Sequence, residues 1–483
     1  MIHIHEESAR CLLCADAPCG AQAARAIRAL RFDNNWTAAE LFEQMTDAEL
    51  QSAENACIHY DRPIRFTELK QTLNSQLKNC PKLSTLNSKL SIAFCGIPCE
   101  NPFFLASSAI CTNYEMIARA FEAGWAGVFY KTICKQDINE VSPRFDAVSQ
   151  DGRFIGFRNM EQLSENPHTV DFDILRRLKK DYPSKVVIAS IMGQDEDEWV
   201  ELAKMAEDAG CDAVELNFSC PQMKKEGLGS DVGQNAELVF YFTTFVKRAV
   251  NIPVIPKMTP NITSMANVAM ASFFAGADGI SAINTIKSVT MSPLADVSGK
   301  NTVSGYSGKA VKPIALRFIL EITKRPIVLN QKVGNHSEVS GIGGIETWRD
   351  ALEFLQLGCR NVQVCTAVMQ YGYRIIDDLI AGMTHYLAER GLDSIEQVIG
   401  EELPNFVLPS DLDRGTKVFP KFDRTKCIGC GRCYISCTDG GHQALTFDAD
   451  RKPHLDGKKC VGCHLCRLVC PMDAIGIAER MTK

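Results

Sequence analysis

The chain has 483 residues, of which 23% are charged, and a formal net charge of -6; this length suits several domains, and the charge balance excludes the basic field of a nucleic-acid-binding surface. Its 21 cysteines would suggest a secreted disulfide scaffold only in a short chain, and His3, His5, Glu6 and Glu7 stand where a signal peptide needs an apolar run, so a reducing cytoplasm is expected. The most apolar long stretch, Ala266 to Ile283, is interrupted by Asn267 and Asp278 and predicts no bilayer span.

In chain order, Thr37 with Glu40 and Thr46 with Glu49 each match a capping box ahead of an apolar stretch, so residues 1–85 are expected as a helical segment, one that also carries Cys11, Cys14 and Cys19. Residues 86–400 alternate β-branched runs with amphipathic stretches. The expected strands include Gly127 to Thr132, Val186 to Ile191, Ala213 to Phe218, Pro253 to Lys257, Gly279 to Asn284, Val339 to Ile342 and Asn361 to Val364. Expected helices include Glu115 to Ala123, Asp197 to Ala209, Glu237 to Val250, Pro313 to Thr323 and Thr347 to Leu357. Roughly eight such units in about 300 residues predict a closed (β/α)8 TIM barrel over an open doubly wound sheet. Residues 401–421, with Pro404, Pro409 and Pro420, read as a linker, and residues 422–483 as a ferredoxin-like domain.

The ferredoxin-like assignment rests on two near-copies of one pattern. Cys427, Cys430, Cys433 and Cys437 read C-x2-C-x2-C-x3-C, and Cys460, Cys463, Cys466 and Cys470 repeat it before Pro471. Three closely spaced thiolates wrap one corner of an iron–sulfur cube while the fourth reaches the other cube, which predicts two [4Fe-4S] clusters with Cys437 and Cys470 exchanged between the sets. Structural zinc is the alternative, but it usually takes two ligand pairs separated by a longer loop.

In a barrel, the polar residues that close apolar strands are the candidate reactive groups. Lys131 and Thr132 close one run, Lys257 a second, Asn217, Ser219 and Cys220 a third, and Asn284 with Thr285 a fourth. A fifth ends at Gly341, Gly343 and Gly344 ahead of a helix beginning near Thr347. With Cys365 and Thr366, these glycines form either a flavin phosphate site, where bare amides and a helix start attract an anion, or simply a tight turn. Cys220 could be a buried small hydrophobe, but it sits in Asn217-Phe218-Ser219-Cys220-Pro221 before a loop with Gly227, Gly229 and Gly233. A thiol with an ordinary pKa near 8.5 is mostly protonated at neutral pH and suits a general acid. Asn159 and Glu161, in a long loop after the second strand, could instead mark a helix N-terminus with a first-turn acid.

From about residue 90 to 475, these segments closely resemble the PreA-type catalytic subunits of bacterial NAD-dependent dihydropyrimidine dehydrogenases and the C-terminal half of the longer animal enzymes, within the wider dihydroorotate dehydrogenase-like flavin family. The resemblance is carried by Asn217 to Pro221, Asn159-x-Glu161, Lys257-x-Thr-Pro-Asn, Asn284-Thr285, the run from Ser307 to Pro313, and both cysteine motifs. It implies FMN held by Ala106, Ser107, Lys131, Thr132, Lys257, Gly308, Gly343, Gly344, Cys365 and Thr366. It also implies a pyrimidine held by Asn159, Glu161, Asn217, Ser219, Asn284 and Thr285, with Cys220 protonating the ring to give 5,6-dihydrouracil or 5,6-dihydrothymine. No strand is followed by G-x-G-x-x-G, so the resemblance points to electrons from a PreT-like partner subunit carrying FAD and an NADH site, in a heterotetramer. The animal relatives open with an iron–sulfur domain whose Cys-x2-Cys-x4-Cys resembles Cys11, Cys14 and Cys19, but here Ala23 stands where its next cysteine would be. A third cluster completed by Cys57 or Cys80, or a helical docking remnant, both remain open. Two rival functions are a dihydroorotate dehydrogenase, disfavoured because Glu161 would face the orotate carboxylate, and a non-catalytic iron–sulfur electron-transfer subunit.

Overall fold

A computed structural model of the chain describes residues 3–77, 89–150, 153–219, 230–291, 299–325 and 338–483. Cys80, Cys220, Pro221, Gly227 and Gly229 lie outside the described residues. Eight parallel strands form the centre: β1 Phe103–Leu105, β2 Gly127–Phe129, β3 Val186–Ile191, β4 Ala213–Asn217, β5 Val254–Lys257, β6 Gly279–Ala282, β7 Glu338–Ile342 and β8 Asn361–Val364. Each pairs with the next in chain order, and β8 returns to β1 through Val362 opposite Phe103, closing the barrel. The strands are buried on both faces because helices cover the outside and side chains fill the inside.

Sequence reasoning named seven of these strands and missed β1, a three-residue Phe-Phe-Leu run too short to show a period. It also ran three strands too far, Ala213 to Phe218 by a single residue. Phe129 and Ala282 are the last strand residues, with Tyr130 N still donating to Ile188 O at 2.9 Å and Ile283 N to Ile342 O at 3.1 Å before Lys131 N donates to Cys111 O at 3.1 Å and Asn284 N to Met258 O at 3.1 Å. Lys131, Thr132, Asn284 and Thr285 therefore sit just past their strands, whereas Asn217 and Lys257 are the last residues of β4 and β5. The apolar stretch at Ala266 becomes the short helix Ala266–Phe274, and among the described residues no helix is long and apolar enough to cross a membrane.

A second sheet is built from two excursions. Phe145–Gln150 and Arg153–Asn159, between β2 and β3, pair antiparallel, and Arg153–Asn159 also pairs with Ser304–Ser307, which pairs with Ile286–Ser288 from the β6–β7 connection. Gly305 lies opposite Asn159. Arg158, fully buried, donates from Nε to Ser304 Oγ at 2.6 Å and from an η nitrogen to Thr302 O at 3.0 Å, stitching the two excursions together.

The N-terminal helices are Ile4–Arg10, Ala21–Arg31, Asn35–Glu43, Asp47–Asn55 and Phe66–Gln76. Thr46 and Glu49 form the expected capping box. Thr37 does not, because it lies inside Asn35–Glu43, which starts after Asn34. These helices have their own apolar core yet belong to one compact unit with the barrel, Met1–Leu403. Trp348 Nε1 donates to Asp33 O at 3.0 Å, and Arg28 holds Asp378 at 2.7 Å and Asp377 at 3.1 Å. The second unit is Pro404–Lys483. There Thr416–Phe422, which begins inside the segment expected as linker, pairs antiparallel with Ile475–Thr482, and Leu445–Phe447 pairs with Pro453–Leu455.

Burial pushes the Asp378 carboxyl up to about 6, with Arg28 opposing the rise. Because that value exceeds the ~3.9 of an exposed aspartate, the group's contribution is full below about pH 4 and is lost as pH rises through about 6. Arg28→Met leaves this carboxylate buried without its partner. The variant should lose about 3–5 kcal/mol near pH 8 and less at pH 5, where Asp378 is protonated. Urea unfolding followed by intrinsic fluorescence at both pH values measures this; an equal loss at the two would show that Asp378 ionisation is not the cause.

Candidate active site

The C-terminal strand ends open onto one cleft of about 1090 Å³, counted out to solvent, large enough for a cofactor and a small substrate. Every expected flavin contact lines it: Ala106, Ser107, Lys131, Thr132, Lys257, Gly308, Gly343, Gly344, Cys365 and Thr366. So do Asn159, Glu161, Asn217, Asn284 and Thr285. Ser219 does not reach the wall. It is buried behind it, donating from Oγ to Asn217 Oδ1 at 2.9 Å and accepting from Asn284 Nδ2 at 2.7 Å. Cys220, the expected acid, lies outside the described residues, directly after Ser219.

Charge in the cleft is paired. Lys131 Nζ lies 2.7 Å from Glu161 Oε2, both side chains being buried, and Arg144 reaches the other Glu161 oxygen at 3.3 Å. Lys257 Nζ lies 3.6 Å from Glu215 Oε1, a carboxylate wholly inside the barrel. Ser190 Oγ donates to that oxygen at 2.9 Å and stands 3.0 Å from Thr132 Oγ1. Thr132 in turn accepts from Asn217 Nδ2 at 2.9 Å and lies 3.2 Å from Ser107 Oγ. The polar side chains of the cleft are thus held by one another before any ligand arrives. Burial raises the Cys365 thiol above its usual range, so it is not a thiolate at neutral pH.

Two readings of the turns are decided by geometry. Asn159 closes the strand Arg153–Asn159, its Oδ1 accepts from Glu161 N at 2.7 Å, and the next helix starts only at His168. The helix-start reading of this pair therefore fails, as does the placement of Asn159 in a loop. The glycine turn does adopt the positive φ of the tight-turn reading, at 131° for Gly343 and 74° for Gly344, and it also lines the cleft. The helix that follows is not a free anion site, however. Thr347 and Asp350 form a capping box, and Asp350 also accepts from Glu346 N at 3.1 Å.

The cleft fits a flavin nucleotide. A Cβ on Gly344 would stand 2.8 Å from Lys312 N and 2.9 Å from Gly308 O, so only bare backbone fits there. Gln363 donates to Ser281 Oγ and Ser340 Oγ at 3.0 and 2.9 Å, while its buried Oε1 has no protein partner and is left for a ligand N–H. Sequence reasoning missed Gln363, Glu215, Ser190 and Arg144. For Glu215 a signal existed, a lone acid in the otherwise apolar run Ala-Val-Glu-Leu.

In the second unit, one pocket is lined by Cys427, Cys430, Cys433 and Cys470, and another by Cys437, Cys460, Cys463 and Cys466. These are the crossed sets, each with one ligand from the other motif.

Residues 89–387 match the family described as dihydroorotate dehydrogenase, and residues 421–477 a 4Fe-4S dicluster domain. Neither match includes a residue before Lys89. The NAD-dependent dihydropyrimidine dehydrogenase subunit PreA of Escherichia coli K12 is 52% identical over 402 residues, 82% of this chain and 96% of that one. The chloroplastic dihydropyrimidine dehydrogenase (NADP(+)) of Arabidopsis thaliana is 37% identical, over 68% of this chain and 80% of that protein. The catalytic subunit of dihydroorotate dehydrogenase B (NAD(+)) from Pyrococcus furiosus is 35% identical, over 64% of this chain and 98% of that one.

Gly344→Ala should yield protein with little bound flavin and unchanged iron, read from the visible spectrum after denaturation and from an iron assay. An unchanged flavin-to-iron ratio would remove Gly344 from the cofactor site.

Proposed function

The chain belongs to the dihydroorotate dehydrogenase family, and from that membership we propose that it is the catalytic subunit of an NAD-dependent dihydropyrimidine dehydrogenase, reducing uracil or thymine to the 5,6-dihydro compound. The observation that carries this reading is the absence, among the described residues lining the cleft, of a lysine without a carboxylate: Lys131 is held by Glu161 and Lys257 by Glu215. A substrate carboxylate such as that of orotate finds only lysines already shared with carboxylates, which offset its desolvation less than a free ammonium would. A neutral ring with alternating N–H donors and carbonyl acceptors meets amides and hydroxyls that match it in pairs. Repulsion by Glu161 is not the cause, because its charge is already shared between Lys131 and Arg144.

Members of this family bind FMN, and the 4Fe-4S dicluster domain holds two [4Fe-4S] clusters. When bound, FMN exchanges electrons singly with the clusters and in pairs, as hydride, with the substrate. Ala106, Ser107, Lys131, Thr132, Lys257, Gly308, Gly343, Gly344, Cys365 and Thr366 would hold it. Lys257, buried beside Glu215, supplies positive charge where a reduced ring gathers negative charge. Asn159, Glu161, Asn217, Asn284 and Thr285 orient the pyrimidine, with Ser219 setting the rotamers of Asn217 and Asn284 from behind. Cys220 Sγ donates a proton to one carbon of the ring's double bond. Electrons come from a partner subunit bearing FAD and an NADH site, within a heterotetramer of cytoplasmic location; the name of the Escherichia coli relative, a subunit of an NAD-dependent enzyme, supports this.

Dithionite-reduced protein mixed anaerobically with uracil should reoxidise its flavin, and orotate should leave it reduced. Flavin that stays reduced with uracil would favour an electron-transfer subunit, and reoxidation by orotate alone would favour a dihydroorotate dehydrogenase. Cys220→Ala should keep flavin and uracil binding while turnover falls by about 10²–10⁴-fold; undiminished turnover would remove Cys220 as the acid.

A further inference from the structure

The proposed chemistry gives Lys257 a task and its carboxylate neighbour none. We propose that Glu215 is a positioning residue that lowers the reduction potential of the flavin held in the cleft, acting through Lys257. This rests on flavin binding there and not on which substrate is reduced.

Strand register puts the group where it can act. Glu215 lies two residues before Asn217 on β4, and side chains two apart on a strand share a face, so it points into the barrel as Asn217 does. Across the ladder it stands opposite Ser190 on β3 and Ile255 on β5, while Asn217 stands opposite Lys257. Lys257 lines the cleft, whereas Glu215 and Ser190 do not. The carboxylate therefore sits behind the ammonium, one layer deeper, outside the wall that meets a ligand.

The two lysine pairs differ in kind. Lys131 Nζ stands 2.7 Å from Glu161 Oε2, within hydrogen-bond range, whereas Lys257 Nζ stands 3.6 Å from Glu215 Oε1, beyond it. Glu215 thus offsets the charge of Lys257 without taking up its N–H donors, which are left for the cavity. Stability does not account for the pair. Glu215 Oε2 is buried with no hydrogen-bond partner among the described residues, and the other oxygen accepts from Ser190 Oγ at 2.9 Å. A buried ion pair so incompletely satisfied is often no more stable than apolar residues of similar volume, and in the run Ala-Val-Glu-Leu an apolar side chain is what the neighbours prescribe.

The electrostatic consequence is direct. Reduction adds negative charge to the ring, and the ammonium groups of Lys131 and Lys257 favour it. Uncompensated, they would hold electrons too firmly in a centre that must pass them on as hydride. Glu161 moderates the first and Glu215 the second, and inside a protein such charges act with far less screening than in water.

The test is an anaerobic reductive titration of the full chain against a reference dye, reading the flavin band after subtraction of the broader cluster absorption, with flavin and iron content as the check on folding. A neighbouring charge commonly moves a buried equilibrium by about one to three decades. Glu215→Gln should therefore favour the reduced flavin at least about tenfold over wild type, an upward shift of about 30 mV for a two-electron couple. Glu215→Asp keeps the charge and should stay within about threefold of wild type. Ser190→Ala removes the donor that shares the carboxylate's charge and should move the balance the other way, towards the oxidised flavin. A Glu215→Gln potential equal to or below that of wild type overturns the proposal. So does a rise in Glu215→Asp as large as that in Glu215→Gln, which would assign the effect to packing. If Glu215→Gln holds no flavin, Ser190→Ala decides, and a potential at or above wild type then overturns the proposal. No pyrimidine takes part, so failure here is distinct from failure of the substrate reading.

Discussion

Two lysines are buried where the barrel strands end, and nearly everything else in the cleft follows from what that burial demands. An ammonium taken out of water costs several kcal/mol unless a partner restores most of its solvation. Lys257 has Glu215, itself fully buried, and Lys131 has Glu161. Glu215 then needs partners of its own, which Ser190 supplies, and the same network continues through Thr132, Asn217 and Ser219 to Asn284. A group added for charge balance on β4 thus fixes the orientation of amides on β4 and after β6. The result is a site whose donors and acceptors are set beforehand, which is the condition for strong electrostatic stabilisation of a reacting ring.

The second sheet solves a different problem. Loops after β2 and β6 cannot hold side chains to a fraction of an ångström when each moves independently. Pairing Arg153–Asn159 with Ser304–Ser307 makes them one body, and Arg158 locks it through Ser304 and Thr302. Asn159 and Gly305 become opposite neighbours, and Gly308 follows in the same strand-to-turn passage. Residues expected to touch the substrate and residues expected to touch the flavin are therefore carried by one unit of structure.

The barrel was legible because parallel strands covered on both faces read as apolar runs, and because runs and helices alternate. Its polar rim was legible for the same reason: Lys131, Lys257, Asn217 and Asn284 each end an apolar run. What lay hidden were contacts made across long sequence separations. Arg144 pairs with Glu161, and Gly305 with Asn159, at distances no local pattern encodes. The first excursion did carry a hairpin signal, Asp151-Gly152 between two alternating runs, but the sheet's other half comes from residues 286–307 and could not be joined to it by period. Propensity also misled at Thr37, whose spacing from Glu40 matches a capping box although the helix has already begun at Asn35.

Barrel and cysteine pockets meet one electrostatic requirement by different means. Electrons bring negative charge, and a site that accepts them must offer positive potential before they arrive. In the cleft this comes from Lys131 and Lys257, whose ammonium groups are held in place by carboxylates yet still face the cavity. In the cysteine pockets, where the walls are apolar, it comes from backbone amides aimed at sulfur: Ala444 N on Cys437, Ala474 N on Cys470 and Gly462 N on Cys460, at 3.3, 3.3 and 3.4 Å. Such bonds stabilise the more negative, reduced state of a cluster and raise its potential, whereas apolar burial lowers it.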